Sequence, residues 1–166
     1  MSNPIITFGF PRTECACTEC VLNCQHLPGY LIPSDLTAIA TELGYENLLT
    51  FALAHLLASS GATVMANGEL FQIPTLVPAR QSDGTCKFLT ADHRCAIHRV
   101  SPYGCSHFDV HQSMAEADER SLAGLAAIAQ EWKAGGLYTR IWIMLHAMNR
   151  HALSPQQARI KLQQAI

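Results

Sequence analysis

The chain has 166 residues, of which 49% are apolar and only 14% charged. That composition suits one small domain with a real core, and it excludes a disordered chain. The formal net charge of −2 leaves no basic excess, so neither nucleic acid nor anionic lipid is an expected partner.

Met1 to Arg12 lacks a charged stretch followed by a long apolar run, so no signal peptide is expected. The longest strongly apolar stretch, Leu48 to Ala58, is interrupted by His55 and falls well short of the ~20 residues that span a bilayer. A cytoplasmic location is the expectation, with no membrane partner. In that compartment thiols stay reduced, so closely grouped cysteines read first as metal ligands. The odd count of seven cysteines points the same way, because pairing would leave one over.

Met1 to Pro11 is expected to be irregular or extended. A dense run from Cys15 to Cys24 follows, closed by Pro28 and Gly29. Ser34 is placed to cap a helix with Asp35 in its first turn, an apolar face of Leu36, Ile39, Ala40 and Leu43, and Gly44 at its end. A second helix, apolar almost all round, is predicted from about Glu46 to Ser59. Asn67-Gly68 between short apolar runs predicts a type I′ hairpin over Val64 to Ile73, with Pro74 and Pro78 breaking regular structure beyond it. Cys86 to His98 reads as two short strands around a polar turn, and Ser101 to Gly104 as a loop leading to Cys105. Ser113 and Glu116 form a capping box for a helix that ends at Gly135-Gly136. Another helix is expected over Leu137 to Ala152, and a last one starts at Ser154-Pro155.

All seven cysteines fall in two groups: Cys15, Cys17, Cys20 and Cys24, then Cys86, Cys95 and Cys105. In a helix the spacing i, i+3, i+7 places Cys17, Cys20 and Cys24 on one face, with Cys15 in the turn before. Thiolates brought together this way repel one another unless a cation lies between them. The second group can close over that face and add a ligand. Four thiolates suit tetrahedral zinc and also a [4Fe–4S] cluster. Two competing readings exist: buried apolar cysteines, and a redox pair at Cys17-Thr18-Glu19-Cys20, which lacks the expected βαβ surroundings.

The segments Cys86-Lys87-Phe88-Leu89, Cys95-Ala96-Ile97-His98, Ser101-Pro102 and Cys105-Ser106-His107-Phe108 resemble the CxxCxxCC cysteine-cluster proteins of the YkgJ type, a zinc- or iron-chelating family. The likeness runs from about Cys15 to Phe108. The first group departs from the family's run by reading CxCxxCxxxC, and serines at 101 and 106 stand where the family often has arginine. The resemblance implies a bound iron–sulfur cluster or zinc. Together with the compact four-cysteine run it puts the [4Fe–4S] cluster ahead of zinc as the expected cofactor.

Among the eight histidines, His93, His98 and His107 are further candidates for the metal site. His26, His55, His146 and His151 are expected to be core or surface residues. His107, Asp109 and His111 alternate, so an extended segment would place them on one face, as a two-histidine, one-carboxylate iron site needs. No G-x-S-x-G, P-loop or H-E-x-x-H motif is present, and no catalytic residue is identified.

The sequence therefore predicts a single small domain, mostly α with one or two small β-hairpins, organised around a cysteine-bound metal site. Residues of about 12–112 carry the cysteines, and about 113–166 form a helical C-terminal part. The expected function is metal binding. The alternatives are an Fe–S or iron-dependent enzyme modifying a peptide or protein side chain, and a structural zinc-binding interaction module. A protein or peptide partner is left open, as is the oligomeric state.

Overall fold

In the computed structural model, which describes residues 6–165, α-helices and two small antiparallel sheets alternate along the chain. The fold class matches the expectation. The helices are α1 (Thr18–His26), α2 (Pro33–Glu42), α3 (Leu48–His55), the single turn α4 (Tyr103–Ser106), α5 (Met114–Ala134), α6 (Leu137–Ala147) and α7 (Pro155–Ala165). Strands β1 (Ile6–Thr7) and β2 (Phe10–Pro11) form a minimal hairpin, so this part of the first segment is extended, within the expectation. The rest of that expectation, residues 1–5, lies outside the described residues.

The long hairpin is β3 (Leu56–Ala66) with β4 (Glu69–Pro78). At its tip Asn67 and Gly68 have φ of 52° and 79°, the pair of left-handed residues a type I′ turn requires. The hairpin is longer than the sequence suggested on both sides. The helix expected to reach Ser59 stops at His55, because Leu56 pairs with Pro78 as a strand residue. Pro74 also stays inside β4. Its position falls opposite the register shift between Ser59 and Ala62, where the ladder needs no N–H from it.

Other boundaries move for similar reasons. The helix expected from Ser34 begins at Pro33, and Asp35 rather than Ser34 caps it, accepting the Ile32 N–H at 2.9 Å. Helix α6 ends at Ala147 rather than Ala152. Beyond it, Arg150 O accepts from Ala58 N at 2.9 Å and Ala152 N donates to Ala58 O at 2.8 Å, so the chain joins the edge of β3. Between Cys86 and His98 the two expected strands reduce to isolated bridges, Arg80 with Cys86 and Leu89 with Cys95. The loop before Cys105 is the helical turn α4. The Ser113–Glu116 capping box is present as expected.

The core lies between the base of the hairpin and α2, α3, α5 and α6. Leu31, Ile39, Phe51, Leu56, Leu76, Ile128, Tyr138, Ile141 and Leu145 are fully buried there, each side chain contributing about 1.5–3 kcal/mol by leaving water. Tyr138 ties these layers together: its hydroxyl donates to Leu31 O and accepts from Leu76 N, both at 2.7 Å. Trp142 donates to Ser59 O at 2.8 Å and Trp132 to Pro74 O at 3.0 Å, fastening α5 and α6 to the hairpin. The turn at residues 98–100, between Cys95 and Cys105, packs against α2. Asp35 joins the two regions by accepting the Tyr103 N–H at 2.8 Å. No helix among the described residues is long and apolar enough to cross a membrane.

Candidate metal centre

Cys17 stands at the N-cap of α1, Cys20 in its first turn and Cys15 in the extended stretch before it. The sulfurs of Cys15, Cys17 and Cys20 and a ring nitrogen of His111 all lie within 4.8 Å of one another. Tetrahedral zinc with Zn–S bonds of about 2.3 Å places its sulfurs roughly 3.5–4 Å apart. The four donors are thus already close to the spacing a single ion imposes.

Local electrostatics prepare the group for a cation. The backbone N–H of Cys20 and the side chain of His111 both hydrogen-bond the Cys17 sulfur, bringing that thiol down to about 7. A thiolate at the start of a helix also meets the positive end of the helix dipole. The Cys20 thiol is pushed the other way, up to about 11, first by loss of solvation and then by the neighbouring thiols of Cys15 and Cys17. Two sulfurs this close do not both ionise without a counter-charge.

His111 reaches the group because the chain after α4 is pinned to the chain before α1. Thr13 N donates to Ser106 O at 2.7 Å. Thr13 Oγ1 donates to Asp109 Oδ2 at 2.5 Å and accepts from Cys15 N at 3.3 Å. The other oxygen of Asp109 accepts the His111 N–H at 2.8 Å. The Thr13 hydrogen bond is the main reason the Asp109 carboxyl lies below its ordinary range.

Cys24 belongs elsewhere. An i, i+3, i+7 stripe shares one face of a helix, but seven residues rise about 10.5 Å along the axis, too far for one ion. The expectation that Cys17, Cys20, Cys24 and at least one of Cys86, Cys95 and Cys105 share one small volume gives way to a group in which Cys15 and His111 stand beside Cys17 and Cys20. Cys24 instead lines a cleft together with Cys86, Cys95 and Cys105. Each of these four thiols lies near enough to the other three that ionising one opposes ionising the next. Burial is the first cause of the raised pKa of each, to about 12 for Cys86. Both sets open on one cleft of about 720 Å³, lined by Cys15, Cys20, Cys24, Cys86, Cys95 and Cys105 together with Arg12, His93, His98 and Asp109.

The remaining histidines divide by role. His93 and His98 line the cleft. His107 is buried, stacked on Tyr103 at 4.4 Å, with Nδ1 bonded to Ser106 Oγ at 2.9 Å. The alternating His107, Asp109 and His111 therefore do not act together: one packs inward, one braces the backbone and one joins the cysteines. His55 bonds Tyr45 and stacks on Phe88, and His146 stacks on Trp142. Sequence spacing gives no sign that His111 belongs with Cys15, Cys17 and Cys20, since 90 residues lie between it and the last of them.

Comparison with protein-family models, with curated proteins and with solved structures finds no match to this chain.

Proposed function

We propose that the protein binds a metal, with zinc as the ion held by Cys15, Cys17, Cys20 and His111. The observation that carries this reading is the gathering of three sulfurs and one imidazole nitrogen within 4.8 Å. Three thiolates and an imidazole are one of the recurrent closed donor sets of structural zinc. The YkgJ-type resemblance of the cysteine segments points to the same class of function. With four protein donors the ion has no open position, so its role is to brace the fold. It would tie residues 13–20 to the segment 109–111, and its binding free energy would be folding free energy.

Cobalt(II) titration of metal-free protein tests the reading, because cobalt reports thiolate coordination by intense absorption. The wild type should show sulfur-to-cobalt charge transfer, and zinc should displace it. Cys17→Ser with Cys20→Ser should abolish the contribution of this group, and His111→Ala should weaken its affinity. A wild type that takes up no cobalt or zinc would refute it. An iron–sulfur centre is the second reading, supported by the four further thiols on the same cleft. A brown protein with broad visible absorption after anaerobic isolation would favour it.

A further inference from the structure

We propose that a second cleft, where the end of α1, the turn after β4 and α7 meet, binds a small phosphomonoester through Arg80 and Lys161. The cleft has a volume of about 570 Å³, a size typical of small-molecule sites. It shares no lining residue with the cysteine cleft: Gln25 lines that one, and the next residue, His26, lines this one. The inference therefore goes beyond metal binding and does not depend on it.

Charge singles this cleft out. The chain carries a net −2, yet Arg80, Lys161, His26 and His151 line the cleft with one carboxylate, Asp83. Asp83 is already engaged: its Oδ1 accepts from Thr85 N at 2.9 Å and from Thr85 Oγ1 at 2.6 Å, and the charge of His26 acts on it. Among the described residues the ion pairs are Arg94 with Asp92 and Arg99 with Glu42, so no carboxylate neutralises Arg80 or Lys161. Arg80 is partly buried, where a cation without a counter-charge is costly. A bound anion supplies that counter-charge.

The donors are positioned in advance. Arg80 Nη1 donates to Gly84 O at 2.7 Å, which orients a planar fork suited to two parallel bonds with one phosphate. Gly84 N donates to Gln81 O at 2.9 Å and Gln81 N to Thr85 O at 2.7 Å, closing the turn that receives it. His151 is fixed at the edge of β3, where both its neighbours bond to Ala58, and its ring stands edge-on to His146 at 4.6 Å. Ser82 and Gln164 add hydroxyl and amide donors, and Leu57 and Leu153 add an apolar wall. A phosphomonoester carries about −1.5 to −2 at neutral pH. That charge matches two permanent cations better than the single charge of a carboxylate, and the apolar wall suits a short organic group beside it.

Calorimetric titration of the full chain, as isolated, with phenyl phosphate and with benzoate tests the site. The two probes share a ring and differ in the anionic group. Phenyl phosphate should bind, and more tightly than benzoate. Lys161→Gln removes one cation from an exposed position on α7, which leaves the core intact, and should weaken phenyl phosphate by roughly tenfold or more, the loss of one charge-assisted hydrogen bond. Arg80→Lys keeps the charge but loses the planar fork, and should also weaken it. Lys133→Gln makes the same charge change in the last turn of α5, does not line the cleft, and should bind like the wild type. A wild type that takes up no phenyl phosphate at millimolar concentration overturns the site, and that measurement needs no variant to fold. A Lys161→Gln protein that binds as well as Lys133→Gln overturns it too, because the attraction would then be diffuse. Benzoate binding as tightly as phenyl phosphate overturns the ligand class.

Discussion

The backbone N–H of Gly29 points at the sulfur of Cys105, 3.1 Å away, and this contact depends on two glycines. A Cβ on Gly29 would lie 2.0 Å from the carbonyl carbon of Gly104. Because the obstacle is backbone, a rotamer change does not relieve it. Gly29→Ala should therefore destabilise the protein by about 3 kcal/mol or more, at or beyond the upper end for overpacking. Denaturant unfolding measures this, and Cys105 should become accessible to alkylation at the same time. Wild-type stability in the variant would show that the two segments are not in contact.

The hairpin supplies a contrast between two glycines with similar dihedrals. Gly61 has φ +77°, and a Cβ there would meet Ile73 O at 1.7 Å; Gly68 has φ +79° and open space around it. Gly68→Ala should cost only the left-handed strain, about 1–2 kcal/mol. Gly61→Ala should cost clearly more, because the bulge must also open. Neither should change metal content, since the turn is remote from the cleft. Equal effects on the unfolding midpoint would contradict the bulge.

Asp35 should give stability a specific pH dependence. Burial holds its carboxyl up at about 6, although the N–H groups of Ile32 and Tyr103 and the charge of Arg12 pull it down. In the unfolded chain an aspartate titrates near about 3.9. Between those values the native state keeps a proton that the unfolded chain has released, so stability falls as pH rises from about 4 to about 6. For metal-free protein the fall should be on the order of 2–3 kcal/mol relative to Asp35→Asn, at about 1.4 kcal/mol per pH unit. Urea unfolding of both proteins at pH 4, 5 and 6 tests it; parallel profiles would refute the buried carboxyl.

Thiol reactivity should separate the cysteines. Cys17, brought down to about 7, should alkylate in metal-free protein at neutral pH ahead of Cys20, Cys24, Cys86 and Cys105, whose thiols are all raised. Peptide mass spectrometry after brief iodoacetamide treatment gives the order, and bound zinc should protect Cys17. Cys20 reacting first would contradict the hydrogen bonds assigned to Cys17.

The elements written in local chemistry were legible in the sequence. The capping box of Ser113 and Glu116, the Asn67-Gly68 turn and the Ser154-Pro155 start each act over four residues or fewer. The junction of α3 and β3 was not, because Leu48 to Ala58 is apolar on every side and carries no period to separate helix from strand. Leu56 becomes a strand residue because Pro78 and its neighbours are there to pair with it, which is tertiary information. The metal site divides in the same way. Cysteine spacing identifies the cluster, but a shared helix face hides the axial distance that keeps Cys24 out of the group of Cys15, Cys17 and Cys20. His111 was visible only as one of an alternating trio. Its place beside Cys17 depends on Thr13 and Asp109 pinning two distant segments together.

Metal content of the chain isolated without oxygen or added metal tests the central claim most directly. The account predicts near-stoichiometric zinc, or zinc with iron, and removal of that metal should lower the unfolding midpoint. Re-addition at 100 times the dissociation constant should restore about 2.7 kcal/mol. A folded protein that carries neither zinc nor iron, and whose stability does not respond to either, would contradict it.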